Sequence, residues 1–415
     1  MALFFKQKEK KPEHLLALDI GTASVKALLF TIDEEKAVIK GFGEQKQGVT
    51  HMRGGVISDL DGVIDNCEKA ITMAANQAGA SPEKMILGVA GQTIKGLATF
   101  FRFERTDPEA KLTEDEIQEM VDRIQKTALA NARQAYESET GKKDVAIKLV
   151  NSSMISAKVD GYEVPNLSGF KGKDIEVGFF DAYALSVHLD TLQSLADELG
   201  LEIHAISAEP FSLVSGILPT EKESLAGIVL DIGGTVTDLT LIKQGRILGT
   251  KVLPLGSSMI TDRIVEALKI PFDEADSKKA KYIENDTEPT VTRKIKEAIE
   301  PEVALWVKGV ELAIKEWEEE ALPPHFLLCG GGAALPEIKA ALVAYPWLTK
   351  TPFTQFPKVD FILPDNVLTV FDQTGAIKDS RLVTPMCLCK VALDLEKEED
   401  LIARLLSKSA HKMGI

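Results

Sequence analysis

Two stretches of this chain decide its fold: LALDIGTASVKALLF at residues 16–30 and IVLDIGGTVTDLTLI at residues 228–242. Each is an apolar run, a glycine turn and a second apolar run, which predicts a tight β-hairpin. Their aspartates, Asp19 and Asp231, lie about half of the 415-residue chain apart. We therefore expect two similarly folded halves, each opening with the same kind of hairpin.

The two turns have residue types suited to binding phosphate. Glycine lets the backbone approach an anion closely and point its N–H groups at phosphate oxygens. A carboxylate before each turn suits Mg²⁺ held through water, because Mg²⁺ keeps several of its own waters. A plain hairpin explains one copy well, but two copies favour a nucleoside triphosphate bound between the halves. No P-loop sequence (GxxxxGK followed by S or T) occurs, so the hairpins are the expected phosphate site.

Composition excludes several classes of protein. The net charge of −15 argues against a general nucleic-acid binder, which needs a positive surface. No apolar run approaches the length of a membrane span, and near the N-terminus the apolar residues precede the lysines, unlike a secretory signal. The four cysteines lack the spacings of a zinc or redox motif. We expect a cytoplasmic protein.

With these hairpins the chain resembles the actin-like ATPase superfamily and, within it, the bacterial cell-division family FtsA. Three segments resemble FtsA in particular: Gly54–Leu60, Val159–Gly169 and Ala298–Pro301. The resemblance to FtsA covers about Leu15 to Leu393 of this chain. The resemblance implies an α/β actin-like fold. Two ribonuclease-H-like halves are expected, with an SHS2-type subdomain inserted in the first.

The resemblance also implies the site, which binds ATP and Mg²⁺. Glu209 lies in the segment whose acidic residue positions the attacking water and is the candidate catalytic residue. Asp19 and Asp231 are expected to hold Mg²⁺ through water. The implied nucleotide-binding residues are Asp19, Gly21, Thr22, Ala23 and Lys26 in the first phosphate loop, Asp231, Gly233, Gly234 and Thr235 in the second, Asp276 and Lys279 at the ribose, and Gly330, Gly331 and Gly332 at the adenosine.

The second phosphate loop departs from the family pattern. Thr235 replaces the third glycine and Val236 replaces the first threonine. The β-branched chain of Thr235 restricts the backbone, although its hydroxyl can still donate to a phosphate. We expect the chain to bind ATP and to hydrolyse it slowly at most.

The expected division of the chain follows the resemblance. Its parts are an apolar and basic N-terminal tail at 1–14, the first domain at 15–84, 173–226 and 377–399, the inserted SHS2-type subdomain at 85–172, the second domain at 227–376 and a C-terminal amphipathic helix at 400–415.

Either end is a candidate membrane anchor. In the C-terminal helix Leu401, Ile402, Leu405, Leu406 and Met413 can share one face, with Arg404, Lys408 and Lys412 adding positive charge. A final helix packed on the first domain explains this pattern equally well. The N-terminal tail combines Leu3, Phe4 and Phe5 with four nearby lysines, and its alternative is a disordered tail. We expect at least one end to bind an anionic membrane.

The resemblance implies a scaffold of cell division. Its expected partners are the C-terminal tail of the tubulin-like protein FtsZ, other copies of itself in an actin-like filament, and other division proteins through the inserted subdomain. The expected location is the inner face of the cell membrane at the division site. The alternative within the superfamily is PilM, the actin-like partner of type IV pilus machinery. A small-molecule kinase on the same fold is less favoured, because we find no acceptor pocket with a catalytic base in the sequence.

Overall fold

The computed structural model describes residues 13–217, 225–396 and 401–413. These residues form a mixed α/β fold built on two large twisted sheets, of six and nine strands. The two predicted hairpins lie one in each sheet, and both are confirmed. The expected N-terminal tail falls almost wholly outside the described residues.

The six-stranded sheet carries the first hairpin and has the strand order β11-β6-β1-β2-β3-β17. Its strands are β1 (His14–Ile20), β2 (Ser24–Asp33), β3 (Lys36–Lys46), β6 (Lys84–Val89), β11 (Glu202–Ala208) and β17 (Val370–Asp372). Strands β1, β2 and β3 run antiparallel, whereas β6 and β11 join in parallel. Every residue of β1 after His14 is buried, as expected for an apolar strand covered on both faces.

Four helices cover this first sheet. They are α1 (Leu60–Ala78), α3 (Ser186–Leu199), α4 (Glu209–Ile217) and α10 (Val383–Leu395). The apolar stripe of α1 faces the core through Val63, Cys67, Ala70 and Ala74. Asp59 caps this helix by accepting a hydrogen bond from the Gly62 N–H at 3.1 Å. A small hairpin, β4 (Met52–Arg53) with β5 (Val56–Ile57), precedes α1.

The nine-stranded sheet begins with the second half of the molecule, in the strand order β16-β15-β12-β13-β14. These strands are β12 (Gly227–Ile232), β13 (Thr237–Lys243), β14 (Arg246–Leu253), β15 (His325–Cys329) and β16 (Lys358–Phe361). The helices of this half are α5 (Ser257–Leu268), α6 (Phe272–Ile283), α7 (Pro289–Lys315), α8 (Pro336–Ala344) and α9 (Trp347–Lys350). Their core centres on the buried Trp306 and Trp347.

The same sheet continues through a third unit, in the order β14-β7-β10-β8-β9. This unit consists of β7 (Ile94–Glu104), α2 (Glu114–Thr140), β8 (Ile147–Val159), β9 (Tyr162–Glu163) and β10 (Asp174–Leu185). A capping box between Thr113 and Glu116 begins α2. That this unit is of the SHS2 type stays a prediction.

The expected boundaries of the inserted subdomain, 85 and 172, are wrong. The strand at Lys84–Val89 pairs in parallel with β1 and belongs to the first sheet. The strand at Asp174–Leu185, expected to rejoin the first domain, pairs along its length with β7 and β8. The inserted unit therefore runs from about residue 94 to 185. The error arises because hydrogen-bonding partners, and not apolar patterns, decide which sheet a strand joins.

The end of the second domain, expected at residue 376, also needs correction. Strand β17 pairs in parallel with β3, so Val370–Asp372 is the edge of the first sheet. The chain thus returns to the first half several residues earlier than expected and continues into α10. Helix α10 then packs against β1, β2 and α4.

The C-terminal helix α11 (Leu401–Met413) is formed as predicted, but it packs on the inserted unit and not on the first domain. Leu405 and Leu406 are buried against α2, in one cluster with Ile117, Val121 and Ile124. The Gln118 side chain donates a hydrogen bond to the Leu405 carbonyl at 3.1 Å. Part of the face expected to meet lipid is therefore covered by protein. None of the described helices is long and apolar enough to span a bilayer.

Candidate functional site

A cavity of about 550 Å³ lies between the two halves, where the turns of the two hairpins meet. Its wall contains most of the residues expected to bind nucleotide. They are Asp19, Gly21, Thr22, Ala23, Lys26, Glu209, Asp231, Gly233, Gly234, Asp276, Lys279, Gly330 and Gly331. Residues separated by more than 300 positions in the sequence are thus brought to one site. Thr235 and Gly332 were also expected there, but they do not line this cavity.

The first hairpin places an acid and a base side by side. Asp19 and Lys26 are opposite each other on β1 and β2, and the Lys26 Nζ donates to the Asp19 carboxylate at 2.9 Å. Burial opposes the charged form of Lys26, but the charge and hydrogen bond of Asp19 raise its pKa above the ordinary value. Lys26 therefore carries a fixed positive charge at the cavity, beside the Gly21 turn.

The second turn is held from behind by the start of α5. The N–H groups of Ser257 and Ser258 donate to the carbonyls of Gly233 and Gly234 at 2.9 and 2.7 Å. In front, the Thr235 N–H donates to the Thr22 hydroxyl of the first turn at 3.2 Å. The two turns therefore contact each other directly across the interface between the halves.

Thr235 contributes differently from what the sequence suggested. Its backbone is not in the left-handed region, so a β-branched residue is accommodated without strain. Its hydroxyl is buried without a partner and does not reach the cavity. Thr235 therefore supports the contact between the turns in an ordinary backbone conformation.

Asp231 and Asp238 form a pair of acids where the first hairpin has an acid and a base. They are opposite each other on β12 and β13, in the register that Asp19 and Lys26 have on β1 and β2. The Asp231 carboxylate accepts a hydrogen bond from the Thr384 hydroxyl at 2.8 Å, and Asp238 accepts one from the Gly91 N–H at 3.4 Å. Burial raises the pKa of Asp238 to about 7, and the nearby charge of Asp231 adds to this effect.

Glu209, the first residue of α4, lies near this acidic pair. Burial and the neighbouring charges of Asp19, Asp231 and Asp238 raise its pKa well above the ordinary value. Burial likewise raises the pKa of Asp231. The ionised forms of Glu209, Asp231 and Asp238 are therefore disfavoured by their surroundings, and a nearby cation would favour them.

No group of three or more histidine, cysteine or carboxylate side chains in the described part of the chain could hold a metal ion. The carboxylates of Asp19 and Asp231 nevertheless line one cavity, so they fit an ion that is bound through its own waters.

The ribose candidates lie at the rim of the cavity. Asp276 is shared between two lysines: its carboxylate meets the Lys46 Nζ at 2.7 Å and the Lys279 Nζ at 3.1 Å. Lys279 also donates to the Thr261 hydroxyl at 2.6 Å. Burial lowers the pKa of Lys279, whereas Asp276 opposes that shift.

The glycine loop after β15 closes the back of the cavity. Gly330 has a φ of 81°, and a Cβ there would lie 2.3 Å from an Asp231 carboxylate oxygen. This position therefore requires glycine both for its backbone conformation and for the close approach of Asp231. Gly332 packs on Ile232 and lines a small apolar cavity with Trp306 and Ile283, next to the larger one.

Several residues of the cavity wall were missed by the sequence reasoning. These are Glu44, Lys46, His188, Asp238, Arg381 and Thr384. Asp238 could have been found by aligning the sequences of the two hairpins, because it occupies the position that Lys26 has in the first hairpin. The others carry no local signal, because only the folded chain brings them to the cleft.

Comparison with known proteins shows which proteins this chain resembles. The family model "Cell division protein FtsA" matches residues 228–361. The chain is 25% identical to the FtsA of Neisseria meningitidis serogroup B over 276 residues, which are 66% of this chain and 62% of that protein. It is 23% identical to the FtsA of Bacillus subtilis over 347 residues, 79% of this chain and 75% of that protein. The resemblance to FtsA is confirmed.

The matches to FtsA proteins do not all reach two thirds of the relative's length. The matched part is 62% of the Neisseria protein and 60% of the Pseudomonas aeruginosa FtsA, to which the chain is 24% identical. Among solved structures, this chain superposes on a chain of the structure titled "PilM-PilN type IV pilus biogenesis complex" with a TM-score of 0.65. That superposition covers 91% of this chain and 98% of the other at 14% identity. The actin-like ATPase fold expected from the sequence is likewise confirmed.

Proposed function

We propose that this chain is an ATP-binding, actin-like scaffold of cell division that works as FtsA does. The observation that carries the proposal is the contact between the two hairpin turns on one cavity. Each turn comes from a different half, and Lys26 lies at the first. Such a site closes on a ligand that reaches both halves, as a triphosphate with its cation does.

Different residues of the cavity bind different parts of the nucleotide. Lys26 and the N–H groups of the two turns hold the phosphates. Asp276 and Lys279 bind the ribose, and the Gly330–Gly331 loop lies against the base. Asp19 and Asp231 hold Mg²⁺ through its waters, and the bound ion neutralises phosphate charge.

We propose that hydrolysis is slow at most, because the second phosphate loop departs from the family pattern at Thr235 and Val236. Glu209 lies beside the acidic pair and is the candidate residue to position the attacking water. The bound nucleotide then acts mainly through binding. Its role is to favour the closed arrangement of the halves, which in turn favours assembly with other copies of the chain.

The division role rests on the FtsA relatives. By that likeness the chain assembles into an actin-like filament, binds the FtsZ tail on the distal part of its second half, and meets other division proteins through the inserted unit. One terminus attaches the filament to the anionic inner face of the membrane at the division site. Many weak anchors on one filament act together with a high effective concentration.

A PilM-like function is the second candidate, supported by the superposition that covers 98% of the PilM-PilN structure's matched chain. At 14% identity that likeness concerns the fold. The partner therefore decides between the two functions. The full chain is offered an immobilised FtsZ C-terminal peptide and, separately, the N-terminal peptide of a pilus membrane protein. Retention on the FtsZ peptide supports the division role, and retention on the pilus peptide alone contradicts it.

Membrane attachment is tested by co-sedimentation with anionic liposomes, using one truncation at each end. We expect binding by the full chain and its loss in at least one truncation. Because α11 is docked on α2, loss in the C-terminal truncation further requires that the helix leave its site before meeting lipid. Equal binding by both truncations and the full chain would contradict a terminal anchor.

A further inference from the structure

The two halves touch at several places around the cleft, and most of these contacts are deep. Thr235 bonds Thr22 between the turns, Thr384 bonds Asp231, and Gly91 bonds Asp238. The residues involved are buried or half-buried. Such contacts lie at the base of the cleft, where a small rotation of the halves changes distances least.

Lys46 and Asp276 form a contact of another kind. Lys46 ends β3 in the first half, and Asp276 lies in α6 of the second, 2.7 Å from it. The Lys46 side chain is 70% exposed and that of Asp276 is 31% exposed. Both residues line the cavity, so this ion pair lies where the cavity opens to solvent.

Asp276 is held between the halves. One of its oxygens faces Lys46 of the first half, and the other faces Lys279 of its own helix. Lys279 is fixed by Thr261 and is mostly buried, so it keeps Asp276 in place when the halves move apart. Opening of the cleft therefore separates Lys46 from Asp276 and leaves the Asp276–Lys279 pair intact.

We propose that the Lys46–Asp276 ion pair is a latch across the mouth of the cleft that slows the release of bound nucleotide. The proposal rests on nucleotide binding in the cavity and adds a role for Lys46, which the family resemblance did not imply. An exposed ion pair is weak, so the expected effect is modest: about a two- to fivefold change in dissociation rate.

The test measures the dissociation of radiolabelled ATP from the full chain, chased with excess unlabelled ATP and sampled by rapid filtration. Lys46→Ala is expected to raise the dissociation rate about two- to fivefold. The matched control is Lys40→Ala, a lysine on the same strand whose partner is Gln373, also in the first half. It is expected to leave the rate unchanged. Equal rates for Lys46→Ala and wild type would overturn the latch.

A double-mutant cycle separates a latch from direct contact between Lys46 and phosphate. With a latch, Lys46→Ala has no further effect on the dissociation rate once Asp276→Asn is present, because the pair is already broken. With direct phosphate contact, the two effects multiply, which overturns the proposal. Failure of the wild type to bind radiolabelled ATP at all would instead contradict the proposed function.

Salt supplies a readout that a merely structural role would not change. The wild-type dissociation rate is expected to rise as salt screens the exposed pair, whereas that of Lys46→Ala responds less. Equal salt dependence in the two proteins would contradict the latch.

Discussion

Asp231 and Asp238 face each other across two antiparallel strands, in the same register that pairs Asp19 with Lys26 in the other half. The two hairpins are therefore alike in backbone and unlike in charge. One half supplies the positive charge that phosphates need, and the other supplies negative charge that suits a cation. Under the proposed function, the phosphate oxygens lie toward Lys26, and the ion lies between Asp19 and Asp231.

The pH dependence of stability tests the acidic pair. The folded pKa of Asp238 is raised to about 7, above the value near 4 of an unfolded chain. Between these values the folded state holds a proton that the unfolded chain lacks, so the free energy of unfolding falls as the pH rises from about 4 to 7. Asp238→Asn removes this cost, since its carbonyl can still accept from Gly91. At pH 8, without nucleotide, we expect the variant to be more stable by roughly 2–4 kcal/mol.

Urea unfolding of both proteins at pH 5, 6.5 and 8 measures this difference. The stability gap should shrink toward the lowest pH, where Asp238 of the wild type is neutral. A gap that stays constant across the three values would show that Asp238 does not titrate as expected.

Removal of Lys26 tests the buried acid–base pair of the first hairpin. Lys26→Ala leaves Asp19 buried without its partner, and breaking such a pair costs about 3–5 kcal/mol. The variant should also bind ATP at least about tenfold more weakly, because a charge at the phosphates is lost. Thermal unfolding and isothermal titration measure the two effects. Lys84→Ala, which breaks a partly exposed ion pair with Glu13 just before β1, is the control and should change little.

Gly330 tests the close approach of the glycine loop to Asp231. Gly330→Ala meets two obstacles, a positive φ and a Cβ 2.3 Å from the carboxylate. Gly375→Ala is the matched control, with a φ of 70° and nothing within 4 Å of the added Cβ. We expect the control to lose about 1–2 kcal/mol of stability from its backbone alone. Gly330→Ala should lose more and should also weaken ATP binding. Equal losses of stability in the two variants, with unchanged ATP affinity, would mean that the glycine loop shifts at little cost and contradict the tight approach to Asp231.

Docking of α11 on α2 predicts a local effect of Leu406→Ala. Leu406 is buried in the cluster with Ile117 and Val121. Its replacement by alanine should therefore lower the free energy of local opening of both helices by about 2–4 kcal/mol. Hydrogen exchange should then speed up in α2 and α11 and stay unchanged in β1 and β2. Lys408→Ala, at an exposed position of the same helix, is the control. Unchanged exchange in α2 would contradict docking in solution.

The hairpins and the helices with strong patterns were within reach of the sequence, because periodicity and capping are local. The stripe of α1 and the Thr113–Glu116 capping box are examples. Sheet membership was not, since Lys84–Val89 and Val370–Asp372 are assigned by partners far away in the chain. For α11 the amphipathic pattern was right, but a pattern does not say whether lipid or α2 covers the apolar face.

The candidate site divides in the same way. Asp19, Lys26 and Asp231 belong to hairpins that can be recognised in the sequence, and the structure brings them to one cavity. Lys46, Arg381 and Thr384 reach it through tertiary packing. Thr235 shows the reverse case: its hydroxyl was expected to be able to donate to a phosphate, but it is buried and does not reach the cavity.

Calorimetric titration of the full chain with ATP, in the presence and absence of Mg²⁺, tests the central claim most directly. We predict one ATP bound per chain, more tightly with Mg²⁺ than without it, and weaker binding by Lys26→Ala under both conditions. No detectable binding of ATP by the wild type in the presence of Mg²⁺ would contradict a nucleotide site between the two halves.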